Sequence, residues 1–291
     1  MLVLEKLLDI QELATLPTVT TKILQQIEDN NVDIRNVAQT IETDASLTAK
    51  VLKVANSAIY GLRTPVTSIS QAIITIGLNR LANIVIGVSI FSRFMLHSQQ
   101  YTKQLFEKLW WHSASTGVVS KTLANRIGRN YKELEFIGGL LHDFGKLVMM
   151  QYKLADYVKV IEITTNEGIL DTEAEKRIFG VDHLEVGEFI AKKWKLPSQI
   201  VNVIAYHSKI NRLKEDVELT SIIRFADLLC EMWGADFFEG FQIINFEEQP
   251  SWKILLERFP ELGDLDLEKF TFELEEDFKK SSEFLKIIAS A

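Results

Sequence analysis

Apolar positions recur at helical spacing from one end of the chain to the other, and few segments alternate long enough to suggest a strand. In TKILQQIEDN the apolar Ile23, Leu24 and Ile27 fall on one helix face. The stretch DASLTAKVLKVANSAIYG opens at a capping residue, Asp44, turns Leu47, Val51, Leu52, Val54 and Ala55 inward, and is predicted to stop at Gly61. In SISQAIITIG, Ser68 with Gln71 three residues on is a capping-box signature ahead of an apolar run. The pattern predicts an all-α protein: an N-terminal helical unit over residues 1–98, a boundary in the polar stretch His97–Gln104, and a second multi-helix unit over 99–234. In that second unit Pro197 and Ser198 mark one helix start and Thr220 or Ser221 another. From about Asp236 the periodicity weakens, and FFEGFQIINFEEQP reads as a loop or a short extended piece. Within 235–291 the tail LEKFTFELEEDFKKSSEFLKIIASA, residues 267–291, is acidic and amphipathic, predicted as one long helix packing back on the body.

One run breaks the rule that apolar surroundings hold apolar residues. FIGGLLHDFGKLVMMQY, residues 136–152, is apolar on all sides yet carries His142, Asp143 and Lys146. Buried unpaired charges cost several kcal/mol, on the order of a large part of a domain's stability, so they persist only when paired or bound to a metal. Read as one helix, the run puts His142 and Lys146 on one face with Asp143 beside them. Gly138, Gly139 and Gly145 each cost roughly 1 kcal/mol against alanine in a helix, which predicts close approach of neighbouring helices. On these residues alone, a structural hydrogen-bonded network and a functional site stand level. The other histidines tilt the balance. His112 sits beside Trp110 and Trp111, His183 opens DHLEVGEFIAKKW, His207 closes QIVNVIAYH, and Asp227 lies in the apolar IIRFADLL. Converging imidazoles and carboxylates suit zinc, iron, manganese or nickel. His97, in the polar stretch, is read as solvent-exposed.

Composition narrows the picture. The 291 residues, 47% of them hydrophobic, suffice for one large or two modest cores. A net charge of −8 argues against a broad nucleic-acid surface but allows a small anionic ligand where a local cation offsets the field. The single Cys230 excludes a disulfide framework and a Cys-rich zinc site, and fits a reducing compartment. The most apolar window, Leu81–Leu96, is interrupted by Asn83, Ser89, Ser92 and Arg93 and falls short of the roughly 20 residues a membrane span needs. The N-terminal residues lack the pattern of a signal peptide. A cytoplasmic protein without a membrane association is expected.

The ordered set His112, His142-Asp143, His183, His207 and Asp227 resembles the HD superfamily of metal-dependent phosphohydrolases over roughly residues 105–230. HDFGK looks like that family's His-Asp-x-Gly-Lys segment, and HLEVG like its His-x-x-x-Gly segment. The resemblance implies two divalent transition-metal ions, iron, manganese, zinc or nickel. His112, His142 and Asp227 would hold the first, His183 and His207 the second, with Asp143 bridging them and Lys146 orienting a phosphate. By the same resemblance Lys146 and Asp143 are the catalytic candidates. The first unit is similar to the HDOD group, regulatory relatives of these enzymes. The likeness lies in the Leu16-Pro17 pair, the acidic residue before SLTAKVL, the ANSAIYG turn and SQAIITIGL. HDOD proteins are associated with bacterial signal transduction, and many lack the metal ligands that this chain keeps. YHSKIN lacks the paired histidines, the acidic residue and the Gly-Tyr-Pro of the HD-GYP cyclic-dinucleotide phosphodiesterases, with Ser208 where a second histidine would stand. That argues against cyclic-di-GMP hydrolysis and against a third metal. Two roles follow: a regulatory signalling module, placed first, with a kinase, response regulator or cyclase as partner, and a metal-dependent phosphohydrolase acting on a nucleotide or other phosphate ester. ANSAIYG is either a partner surface or simply a helix end.

Overall fold

The computed structural model describes residues 18–28, 33–57, 60–95, 100–240, 244–264, 269–272, 274–276, 278 and 279. The Leu16-Pro17 pair, Ala58 and Ile59 of the ANSAIYG turn, His97 with its neighbours in the expected boundary, and the tail helix beyond residue 279 lie outside the described residues. Among the described residues the chain is helical and has no strand, as the apolar spacing predicts. None of these helices is long and apolar enough to cross a membrane. Two compact units form, one within Leu16–Gln99 and the other within Gln100–Phe278.

The first unit contains α1 (Thr18–Glu28), α2 (Ile34–Glu42), α3 (Ala45–Ala55), α4 (Ile69–Ile76) and α5 (Leu78–Met95). Asp44 caps α3 by accepting the Leu47 N–H at 2.9 Å, which satisfies one of the orphan donors of the first turn. The inward face is the expected one, with Leu47, Val51, Val54 and Ala55 buried and Leu52 partly covered. The helix ends at Ala55 and not at Gly61. The reason is Asn56: its amide donates to the Val66 carbonyl at 2.8 Å and accepts the Val66 N–H at 2.7 Å, so the chain leaves the helix there. The capping box of α4 is half made. Ser68 accepts the Gln71 N–H at 3.2 Å, but the Gln71 side-chain Oε1 takes the N–H of Thr67 at 3.0 Å and not that of Ser68.

The second unit contains α6 (Gln100–Arg126), α7 (Leu134–Leu141), α8 (Phe144–Glu167), α9 (Asp171–Phe179), α10 (His183–Lys193), α11 (Ser198–Tyr206), α12 (Val217–Met232) and α13 (Pro250–Arg258), with a 3₁₀ turn at His207–Arg212. Helix α6 packs on α7 and α12, α8 on α9 and α10, and α10 on α11. Helix α12 begins at Val217 after Asp216 in a left-handed conformation (φ 55°), a turn before the expected start. Ser221 therefore lies inside the helix and donates to the Val217 carbonyl at 2.7 Å. Every residue from Leu219 to Cys230 is buried, so α12 is a core helix on all sides, Arg224 and Asp227 included. Its apolar side joins Val119 and Leu123 of α6, Trp252 and Leu255 of α13, and Phe270, Leu274 and Phe278 of the described tail in one cluster.

Candidate metal centre

The run 136–152 is not the single helix expected. Helix α7 ends at Leu141, and Asp143 (φ −96°, ψ 16°) stands in a break before α8. In a continuous helix, neighbouring side chains diverge by about 100°, and the break removes that divergence. His142 and Asp143 consequently face the same point, with Nε2 and Oδ2 3.6 Å apart. Lys146, in the first turn of α8, reaches back to Asp143 rather than sharing a helix face with His142. The expected close approach is present at Gly145. A Cβ there would lie 1.9 Å from the His183 carbonyl oxygen, so α8 and α10 touch backbone to backbone. Asp182 fixes the start of α10 with a complete capping box, accepting the Glu185 N–H at 3.0 Å while Glu185 accepts the Asp182 N–H at 3.0 Å. Together these contacts deliver His183 beside Asp143.

Six residues singled out in the sequence converge. His112 Nε2 lies 3.1 Å from His142 Nε2, 3.2 Å from Asp227 Oδ1 and 3.6 Å from Asp143 Oδ2. His142 Nε2 is 3.5 Å from Asp227 Oδ1. On the other side of Asp143, Oδ1 is 3.4 Å from His183 Nε2 and 3.5 Å from His207 Nε2. All six side chains are almost completely buried. The far nitrogen of every ring is tied down. Nδ1 of His112 donates to the Ala235 carbonyl at 2.7 Å, His142 to Gly139 at 2.6 Å, and His207 to Val203 at 3.2 Å, while His183 donates to the Glu175 carboxylate at 2.8 Å. A carbonyl only accepts, so Nδ1 carries the proton and the Nε2 lone pair of the neutral ring points inward.

This arrangement fits a cation. Two inward lone pairs 3.1 Å apart repel unless a proton or a metal ion lies between them. Donor spacings near 3.0–3.5 Å are the edges expected around an ion with bonds of about 2.0–2.2 Å. Both Asp143 oxygens, Asp227 Oδ1 and His183 Nε2 are buried without a hydrogen-bond partner. Acidic groups crowd the centre: Asp143, Asp171, Glu175, Asp227 and Glu239 surround it, Lys146 and Arg224 are the fixed cations among them, and protons on the rings or a metal ion supply further positive charge.

Local fields adjust protonation accordingly. Burial opposes ionisation of Asp143, but Lys146 and the surrounding imidazoles outweigh it and hold the carboxyl well below the usual range. Asp227 is held low against the same burial by Arg224 and His142. Burial disfavours charged His112 and His183, yet Asp227, Glu231 and Asp143 raise the former to about 10, and Glu175 and Asp171 raise the latter to about 9. His207, buried beside His142, is pushed down. Burial raises Glu231 to about 8, with Glu239 adding to it.

Lys146 is fully enclosed. Its Nζ lies 2.7 Å from Asp143 Oδ2 and 2.7 Å from Asp171 Oδ2, without hydrogen-bond alignment, and 5.8 Å from the centre of the Phe237 ring. A cavity of about 390 Å³ opens beside His207, lined also by Asp171, Lys209, Arg212, Arg224 and Glu239. The sequence reading missed Asp171, Glu175, Arg224, Glu231 and Glu239. Arg224 carried a signal, a charge three residues before Asp227 in an otherwise apolar helix, and the two are ion-paired.

Helices alone, gathered in the second unit around a buried set of imidazoles and carboxylates, define an all-α protein with a candidate metal centre. The HDOD domain profile matches residues 13–210, and the chain belongs to the HDOD family. The crystal structure of an HDOD domain protein of unknown function from Geobacter sulfurreducens is similar at 27% identity and a TM-score of 0.73, covering 94% of this chain and 91% of that one. A candidate phosphohydrolase from Shewanella amazonensis SB2B shares the fold at 22% identity and a TM-score of 0.73, covering 98% and 97%. An uncharacterised protein of Treponema pallidum (strain Nichols) is 28% identical over 221 residues, 75% of this chain and 42% of that protein. The match therefore spans less than half of that curated relative.

Proposed function

We propose that the protein is an HDOD signalling module whose second unit holds two divalent transition-metal ions. His112, His142 and Asp227 bind the first, His183 and His207 the second, and Asp143 bridges them. The observation that carries this reading is the orientation of the four rings: every Nδ1 is tied to an acceptor and every Nε2 faces the Asp143 carboxylate. Desolvating such a cluster is costly, and a cation that replaces protons on the rings offsets the carboxylate charge. The centre then fixes how α6, α7, α8, α10 and α12 pack, and the module answers to a kinase, response regulator or cyclase.

Hydrolysis of a phosphate ester is the second reading, favoured by the cavity next to His207 with Lys209, Arg212 and Arg224 in its wall. When bound, a metal pair supplies Lewis acidity toward phosphoryl oxygens and lowers the pKa of water to about 7. Lys146, which the resemblance gave the role of orienting a phosphate, is enclosed against Asp143 and Asp171 and would steady those carboxylates, so Lys209, Arg212 and Arg224 are the cations that would meet a phosphate in the cavity.

Elemental analysis of the purified chain, with His142→Ala as control, tests the metal reading. Stoichiometric iron, manganese, zinc or nickel that falls in the variant supports it, and background metal in the unmodified protein refutes it. Turnover of a panel of nucleotides and generic phosphate esters by metal-loaded protein would move the second reading ahead of the first.

A further inference from the structure

The segment after α12 closes over the centre. Ala235 offers its carbonyl to His112, the Phe237 N–H donates to Glu231 Oε1 at 3.0 Å, and the Glu239 carbonyl accepts the Asp171 N–H at 3.3 Å. Gly240 ends the strap at φ +85°, where a Cβ would lie 2.1 Å from the Ile169 carbonyl oxygen, so the chain is pinned as well as turned. This strap carries Glu239 inward to 4% exposure. One carboxylate oxygen, Oε2, accepts from Arg224 at 3.0 Å. The other, Oε1, has no hydrogen-bond partner and points at the centre, 4.0 Å from His112 Nε2 and 3.7 Å from Lys146 Nζ. It belongs to a group with His112, His142 and Asp143 whose donor atoms all lie within 4.8 Å of one another. Glu239 also lines both the cavity beside His207 and a second cavity of about 640 Å³. Lys146 sits closer to Asp143 and Asp171, at 2.7 Å from each, and leaves Glu239 Oε1 with an ion pair but no hydrogen bond, a costly state for a buried carboxylate oxygen.

We infer that Glu239 is a resident ligand of the first metal ion, held there by the pinned strap Ala235–Gly240 and filling a position that water or a phosphate oxygen would otherwise take. The inference rests on the metal reading proposed above and deepens it. Structural metal sites are closed by protein donors, whereas reactive ones keep a position for water or substrate. With Glu239 in place the first ion is closed, which suits a signalling module. Without the charged Oε1 of Glu239 that ion keeps a position for water or a phosphate oxygen.

The test uses the full chain loaded with cobalt(II), whose visible spectrum reports the donors around the ion, with inorganic phosphate as the probe. The unmodified protein is expected to bind cobalt and to answer phosphate only weakly, through the second ion beside the cavity at His207. Glu239→Gln retains an acceptor for Arg224 but removes the charged donor. It is expected to keep cobalt, to show an altered spectrum before any addition, and to bind phosphate at least about tenfold more tightly, the gain expected when a competing closed state is removed. A Glu239→Gln spectrum identical to that of the unmodified protein overturns the assignment of Glu239 as a ligand. An altered spectrum without tighter phosphate binding overturns its role at that position. A phosphate response in the unmodified protein as tight as that of Glu239→Gln overturns the closed state, and Glu239→Ala takes the place of that variant where it does not fold. Failure of the unmodified protein to bind any cobalt is distinguishable from these, because it removes the metal reading itself.

Discussion

Glu175 takes both the ring Nδ1–H of His183 at 2.8 Å and its backbone N–H at 2.7 Å, through one carboxylate oxygen. A buried carboxylate behind a histidine fixes the ring's tautomer and raises its basicity, and loss of such a partner typically costs about 10–100-fold in metal affinity. Glu175→Gln should therefore weaken one of two metal-binding steps by about that factor in a chelator-competition titration. An unchanged binding curve would leave Glu175 without a role in orienting His183. Protonation gives a second prediction at this scale. In the metal-free protein His112 and His183 are raised above the usual 6.5, to about 10 and about 9. Their charged forms stabilise the fold fully below pH 6.5, and that contribution is lost as pH rises through 9 to 10. Metal must displace those protons, so its affinity grows over the same range. Thermal unfolding should show the chelator-treated protein losing stability between pH 6.5 and 10 while the gap to the metal-loaded protein widens; parallel curves would contradict it. The six ligand candidates were legible because imidazole and carboxylate are conspicuous among apolar residues. Glu175 was not, because beside Lys176 and Arg177 it resembles an ordinary solvated helix face.

At the scale of elements, α8 and α10 meet at Gly145, and no side chain fits between them. Gly145→Ala forces a Cβ to 1.9 Å from the His183 carbonyl, so the helices must part. The expected loss is about 3 kcal/mol in denaturant unfolding, with metal lost in the same variant, since His183 would move away from Asp143. Full stability with full metal would show that the crossing does not position the centre. The helix starts and stops that the chain pattern predicted fared according to their cause. Asp44 and Ser68 cap helices because capping is local chemistry, written in adjacent residues. The end of α3 at Asn56 depends on Val66, and the break at Asp143 depends on partners brought by other helices, so neither follows from local spacing. Glu239 was hidden for a related reason, since it lies in a segment without periodicity and acquires meaning only through Arg224 and His112.

At the scale of the molecule, two compact helical units account for the described chain, and the HDOD family assignment agrees with the all-α reading of its apolar pattern. The second unit spends part of its interior on acids, imidazoles and two fixed cations in a place where apolar side chains would pack at lower cost. The metal pair proposed above would account for that arrangement, and its position is specific enough to be measured directly. The decisive measurement is anomalous diffraction at the absorption edge of whichever metal copurifies with the full chain. The account predicts two peaks astride the Asp143 carboxylate, one among His112, His142 and Asp227 and the other against His183 and His207. Ordered density for these side chains with no anomalous peak between them, or a peak elsewhere in the molecule, would contradict it.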